Sequence, residues 1–260
     1  MIVTELYEGT ELYILVGGKG TRLASVTNGF PKPLVDVNGK PFIEYVLENL
    51  KGFNINFIAS GCATGKKDSS YRMFGSAYGD GQLGYNVKIL DDGGCEGGPG
   101  GGTGGWLNMF AIHNVEMPES FYIMNGDTYF TGDLNLDVNR STVFVAEEDV
   151  AGDVGYIEPK KKRWYNRRNR VNSFVEKNPN ATGKQLVNLG IYKFYKKDLP
   201  LSGIPFQGSI EYDILPHTKN LEYKVLNTDR FDIGTPERLE KFKTWQQHVA
   251  KTSSDFGGGI

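Results

Sequence analysis

Short apolar runs alternate with stretches of helical periodicity through the first 150 residues. Runs at 12–16, 55–59, 87–90, 121–124 and 142–146 are short and rich in Val, Ile, Leu and Phe, as expected of buried strands. Between them, residues 41–50 place Phe42, Val46 and Leu50 on one helical face, with Pro41 suited to the first turn. Residues 103–115 do the same with Leu107, Phe110 and Ala111. This alternation predicts an α/β fold, a mostly parallel sheet flanked by helices. The second half reads differently. Residues 153–158, 171–176 and 187–194 look like short alternating strands, expected to form a small antiparallel cluster over the crevice of the parallel sheet. A helix is predicted over 209–215, with Ser209 as N-cap and Pro216 closing it. A last amphipathic helix is predicted over 236–249, with Leu239, Phe242, Trp245 and Val249 on one side.

Composition bounds this picture without redirecting it. A chain of 260 residues can bury roughly 70–75% of its unfolded surface, so one domain needs no staples. Its 39% hydrophobic and 23% charged content is ordinary for a globular protein, and a net charge of −2 points to no nucleic-acid or membrane partner. Cys62 and Cys95, two in a long chain, support neither a disulfide framework nor a metal cluster. Residues 1–10 hold two acids and no apolar core of a signal peptide, so a cytoplasmic protein is expected. Many of the 34 glycines fall between Gly75 and Gly105, and 251–260 is expected to be a disordered tail. The run 160–170 carries seven cations with Trp164 and Tyr165 among them. Lying between two strand candidates, it reads as a solvated hairpin tip. Nothing here distinguishes a monomer from a homo-oligomer.

The candidate chemistry is concentrated where the strands end. Leu15 stands near the end of the first apolar run, and Gly17, Gly18, Gly20 and Thr21 follow that run. Such a turn brings bare N–H groups close to an anion. Arg22 adds a planar fork of donors, and Lys32, stiffened between Pro31 and Pro33, adds a point charge. Together they read as a nucleoside triphosphate site. Asp127 follows the run 121–124, with Gly126 just before it, and Asp232 lies between Phe231 and Ile233. Asp127, at a strand end facing phosphate, suits Mg²⁺, which takes one or two carboxylates and completes its shell with water and phosphate oxygens, and the charge of Asp232 between two apolar residues needs a partner or a cation. Read alone, each could equally be a turn or capping aspartate. A literal Gly-x-Gly-x-x-Gly at 100, 102 and 105 is not a dinucleotide fingerprint, because it stands too far behind a strand.

Six motifs in order over residues 12–237 resemble the sugar-1-phosphate nucleotidyltransferases. These are Gly17 to Leu23, Lys32-Pro33-Leu34 followed by Gly39-Lys40-Pro41, Gly102-Thr103-Gly104-Gly105, Asn125-Gly126-Asp127, Glu176-Lys177 with Asn188-Leu189-Gly190-Ile191-Tyr192, and Asp232-Ile233-Gly234-Thr235-Pro236-Glu237. The resemblance implies a Rossmann-like fold with a nucleotide-binding half over 11–150 and a smaller antiparallel sugar-binding half over 151–236. It implies Arg22 and Lys32 as catalytic residues and Asp127 and Asp232 as Mg²⁺ ligands. Leu15, Gly17, Gly18, Gly20, Thr21, Gly102, Thr103, Gly104 and Gly105 would then bind nucleotide. Glu176, Lys177, Asn188 and Gly190 would bind the sugar phosphate. The substrates would be a nucleoside triphosphate and a sugar 1-phosphate.

Three departures from the pattern are visible. Ala24-Ser25-Val26 follows Arg22-Leu23 where many members have proline, Asn178 separates Lys177 from Pro179, and Trp106 replaces a small residue. The first looks most like the guanylyltransferases of heptose 1-phosphate. Thymidylyl, uridylyl or cytidylyl transfer to a hexose phosphate, and guanylyl transfer to mannose 1-phosphate, stay open. Trp106 either narrows the nucleotide pocket or points into the core. A non-catalytic nucleotide-sugar sensor would have lost one of the charged positions, whereas Arg22, Lys32, Asp127, Asp232 and Lys177 are all present.

Overall fold

The computed structural model describes residues 7–17, 21–27, 30–60, 70–79, 87–92, 102–150, 154–161, 168–176, 178–202 and 208–256. In the first half, β1 (Thr10–Leu15), α1 (Ala24–Thr27), β2 (Asp36–Val37), β3 (Lys40–Pro41), α2 (Phe42–Glu48) and β4 (Phe53–Ala59) are followed by α3 (Ser70–Tyr78), β5 (Val87–Asp91) and α4 (Trp106–Ile112). Then come β6 (Ser120–Asn125), β7 (Thr128–Phe130), β8 (Thr142–Asp149), β9 (Tyr156–Pro159), β10 (Val171–Val175) and β11 (Lys184–Tyr195). The chain continues with β12 (Glu222–Val225), β13 (Arg230–Asp232) and α5 (Pro236–Phe256). All five apolar runs are strands, each within a few residues of its expected ends.

Four of these strands make the parallel centre of a nine-stranded sheet, in the order β6-β1-β4-β5. The chain builds outward from β1 to β4 and β5, then returns to β6 on the other side of β1. That reversal puts the carboxyl ends of β1 and β6 side by side, with Leu15 in register with Asn125. Crevices at such switch points are where open α/β sheets bind ligands.

Side-chain alternation along the strands feeds two cores, one per face. Leu12, Ile14, Phe57, Tyr122 and Met124 join Phe42 of α2 and Phe242 of α5 on one side. Tyr13, Ile58, Phe121 and Ile123 join Trp106 and Phe110 of α4 on the other. Trp106 is fully buried, stacked on Phe194 (centroids 5.6 Å apart) and edge-on to Phe121 at 5.5 Å. The core reading of this residue holds, and it does not narrow a nucleotide pocket.

Three expectations are corrected. The antiparallel strands do not stand apart over the crevice but extend the central sheet. The twelve-residue β11 pairs with β6 through Ile191–Tyr195 and with β8 and β9 through its first half. The join is at Gly190, whose φ of +69° bends the strand where the register shifts. Pro216 does not close the 209–215 helix. Residues Ile210–Ile214 form a π-turn and Leu215–His217 a 3₁₀ turn with Pro216 inside it, where its missing N–H costs nothing. Ser209 does cap the turn, accepting from the N–H of Glu211 and Tyr212. Finally, α5 runs on to Phe256, into the expected tail, although Val249 is already 39% exposed. Residues 257–260 lie outside the described residues, as do 162–167 of the basic run. The flanks of that run pair as a hairpin would, Lys160 N–H donating to Arg170 C=O.

Candidate active site

Lys32 opens a 3₁₀ turn (Lys32–Leu34) between Pro31 and Pro33. The turn is closed by Val35 N–H donating to the Lys32 carbonyl at 3.0 Å, so the backbone beneath the side chain is set by two prolines and one hydrogen bond. The ammonium reaches across the switch point to Asp127, with Nζ 3.5 Å from Oδ2 and side-chain exposures of 19% and 33%. Asp127 is carried there by β6 and by Gly126, whose N–H donates to the Leu15 carbonyl at 3.0 Å.

The antiparallel pair β7–β13 then brings in the second carboxylate. Thr128, next to Asp127, is in register with Asp232, and Ile233 N–H donates to the Asp127 carbonyl at 3.0 Å. The two aspartates are therefore anchored on adjacent strand ends, as the motifs imply. Asp232 has partners that the motifs do not show. Its Oδ1 accepts from Arg238 Nη1 at 2.8 Å and from Gly234 N–H at 3.1 Å, and Oδ2 lies 4.0 Å from Arg230 Nη1. Arg230 in turn grips Glu148 through two bonds of 2.8 and 3.0 Å. Arg22 stands exposed in the first turn after the glycine loop. Gly18 and Gly20 lie outside the described residues, as does the side chain of Thr21.

The second element is the 102–105 turn before α4. Gly104 N–H donates to the Gly208 carbonyl at 2.7 Å, and a Cβ at Gly104 would meet that same oxygen at 2.7 Å. Glycine is needed here for close backbone approach. Thr103 straps the turn further, its hydroxyl donating to Glu211 Oε2 at 2.9 Å and accepting from Ile210 N–H at 3.0 Å.

In β11, Asn188 Oδ1 accepts from Gly190 N–H at 3.0 Å while its Nδ2 donates to the Tyr192 hydroxyl at 2.7 Å. Tyr192 is fully buried and donates to Glu211 Oε1 at 3.2 Å. Burial, with the Glu211 charge beside it, pushes this phenol well above its usual pKa. It therefore stays a proton donor across the working pH range. Glu176 packs against Gly155 at the end of β10, and Lys177 lies outside the described residues. Glu211, Arg230 and Arg238 are the residues that sequence reasoning missed. Arg238 is six residues from Asp232 on the first turns of α5, a spacing that in retrospect signals a partner. Glu211 carries no comparable signal.

The sequence profile of the nucleotidyl transferase family matches residues 13–244. The chain belongs to that family. A D-glycero-α-D-manno-heptose 1-phosphate guanylyltransferase from Aneurinibacillus thermoaerophilus is 30% identical over 247 residues, 92% of this chain and 99% of the relative. The Campylobacter jejuni protein of the same description is 30% identical over 88% of this chain and 96% of its own. Among solved structures, HddC from Yersinia pseudotuberculosis aligns with TM-score 0.65 and 29% identity, covering 90% of this chain and 99% of its own. A second HddC structure, complexed with GMP-PN, aligns with TM-score 0.64 and 28% identity, over 89% and 97%.

The resemblance drawn from the six motifs thus holds. In this nucleotidyl transferase Lys32 pairs with Asp127 where β1 and β6 run side by side, and Asp232, on the neighbouring strand end, is held by Arg238 and Arg230. Among the described residues no group of three or more His, Cys, Asp and Glu side chains is placed to hold a metal ion. A cation held here would rely on Asp127 and Asp232 plus oxygens of substrate and water. Two hard oxygen donors on neighbouring strand ends fit Mg²⁺, and Asp232 would exchange its Arg238 contact to take part.

Proposed function

We propose that this chain condenses GTP with D-glycero-α-D-manno-heptose 1-phosphate to GDP-heptose and pyrophosphate, with Mg²⁺ as cofactor. The observation that carries the reading is the meeting of Lys32, Asp127 and the Asp232 strand end where β1 and β6 run side by side. An oxygen of the sugar phosphate attacks the α-phosphorus in line. The bond from that phosphorus to the α–β bridging oxygen breaks, and pyrophosphate leaves with the electron pair. No covalent enzyme intermediate forms, so positioning and charge stabilisation supply nearly all the catalysis. Lys32 binds the phosphates undergoing transfer, and Arg22 offsets charge building on the departing pyrophosphate. Lys177 grips the sugar phosphate, while Glu176 and Asn188 take sugar hydroxyls, each of which donates one hydrogen bond and accepts others. Asp127 and Asp232 would hold Mg²⁺, which would supply positive charge to neutralise the phosphates.

No helix among the described residues is long and apolar enough to cross a membrane, and a nucleoside triphosphate substrate suits a cytoplasmic enzyme. Pyrophosphate release from each nucleoside triphosphate, against heptose, mannose and glucose 1-phosphates, tests the substrate assignment. GTP with the heptose phosphate is expected to be turned over fastest, EDTA to stop the reaction and Mg²⁺ to restore it. A preference for another pair refutes the assigned substrates. Turnover undiminished by EDTA removes the metal.

A further inference from the structure

Among the described residues, the Glu211 side chain hydrogen-bonds to Thr103 of the 102–105 turn and to Tyr192, which holds Asn188, and it does so through hydroxyl groups. Its Oε2 accepts from Thr103 Oγ1 at 2.9 Å and from Ser209 Oγ at 2.7 Å. Its Oε1 accepts from the Tyr192 hydroxyl at 3.2 Å. Each of these hydroxyls already accepts elsewhere. Thr103 accepts from Ile210 N–H, Ser209 from the N–H of Glu211 and Tyr212, and Tyr192 from Asn188 Nδ2. Facing a carboxylate that has no proton to give, all three hydroxyls donate to it. An ionised Glu211, which only accepts, satisfies all three donors. An amide in its place keeps one accepting oxygen and leaves the hydroxyl that faces its NH₂ without an acceptor.

The consequence reaches the sugar side. With its oxygen held by Gly190 N–H and its nitrogen by Tyr192, the Asn188 amide has one orientation, and Glu211 sets it through Tyr192. The same carboxylate holds Thr103 and with it the 102–105 turn against 208–211. We propose that Glu211 is a positioning residue that couples the two subsites, so that ordering the nucleotide-side turn also orders the sugar-binding amide and the substrates bind cooperatively. This rests on the reading of 102–105 as nucleotide-side and Asn188 as sugar-side.

Steady-state kinetics with GTP and heptose 1-phosphate test it in the wild type, Glu211→Gln, Tyr192→Phe and Thr103→Val, with a melting curve for each. In the wild type, saturating GTP is expected to lower the KM for the sugar phosphate about fivefold or more, the lower range of ordinary coupling. Glu211→Gln should abolish that dependence and raise both KM values, while kcat falls much less. Tyr192→Phe should raise chiefly the sugar-phosphate KM, and Thr103→Val chiefly that of GTP. A purely structural role would lower the melting temperature without splitting the constants in this way. If Glu211→Gln keeps the wild-type coupling, or loses kcat with both KM values unchanged, the inference is overturned. If that variant does not fold, the Tyr192→Phe/Thr103→Val cycle decides, with non-additive effects supporting the coupling and additive effects overturning it. A wild type inactive with every substrate pair overturns the functional reading and this inference together, whereas an active wild type with an insensitive Glu211→Gln overturns the inference alone.

Discussion

Lys32→Ala is expected to lower kcat by about two to three orders of magnitude, roughly the 3–4 kcal/mol lost when a preorganised electrostatic donor is removed. The fold should barely notice. The hydrogen bond that closes the turn uses the backbone of residue 32, and Pro31 and Pro33 keep their constraint whatever side chain lies between them. The Lys32–Asp127 pair is 3.5 Å apart and part-exposed, a geometry that contributes about 0–1 kcal/mol to stability. A large loss of turnover with an almost unchanged melting temperature is therefore the signature. Lys32→Arg should recover only part of the loss, because a planar fork does not reproduce a compact ammonium between two phosphates. Pyrophosphate release under saturating substrates reads both variants. A Lys32→Ala enzyme within about threefold of wild-type turnover, far below the loss expected of such a donor, would count against the role assigned to this residue.

Trp106→Ala is expected to act on the fold, with a loss of about 3–5 kcal/mol in unfolding free energy, as for other large-to-small aromatic truncations in cores. The indole is fully buried among Phe110, Phe121 and Phe194, with centroids 5.5–6.4 Å away. Neighbours in such a cluster cannot close the space left behind. Trp106→Phe should cost much less. It keeps the ring contacts and removes an indole N–H that finds no acceptor among the described residues, a buried donor worth about 1–3 kcal/mol when unsatisfied. Urea unfolding of both variants, read at the midpoint with unchanged slope, checks the difference. Equal losses for the two, or a Trp106→Ala loss under about 1 kcal/mol, would contradict this packing role.

The parallel half of the fold was legible because its central strands β1 and β6 are written as apolar runs buried on both faces, while β4 and the edge strand β5 carry only one polar residue each in theirs, Asn56 and Lys88. The place of the crevice followed from where Gly17 and Asp127 sit relative to those runs. The antiparallel half was misplaced for a definite reason. Lys184–Tyr195 pairs with different partners along its two halves, and only its buried stretch reads as a strand. At the site, the motif residues Lys32, Asp127, Asp232 and Asn188 were legible as local patterns. Their partners were not. Thr103 meets Glu211 across 108 positions of chain, and Asn188 is held through Tyr192 by a carboxylate in a short irregular turn. No periodicity marks such residues, because their placement depends on the tertiary fold rather than on any local repeat. Arg238 is closer at hand, six residues along the chain from Asp232 on the first turns of α5, but the last motif ends one residue short of it.

The most direct test of the account is the identity of the product. The chain should be incubated with GTP, heptose 1-phosphate and Mg²⁺, and the mixture analysed by mass spectrometry. The account predicts GDP-heptose and pyrophosphate in equal amounts, and neither from an Asp127→Asn enzyme that remains folded. GDP with free phosphate, or the nucleotide sugar formed equally well by the Asp127→Asn enzyme, would contradict it.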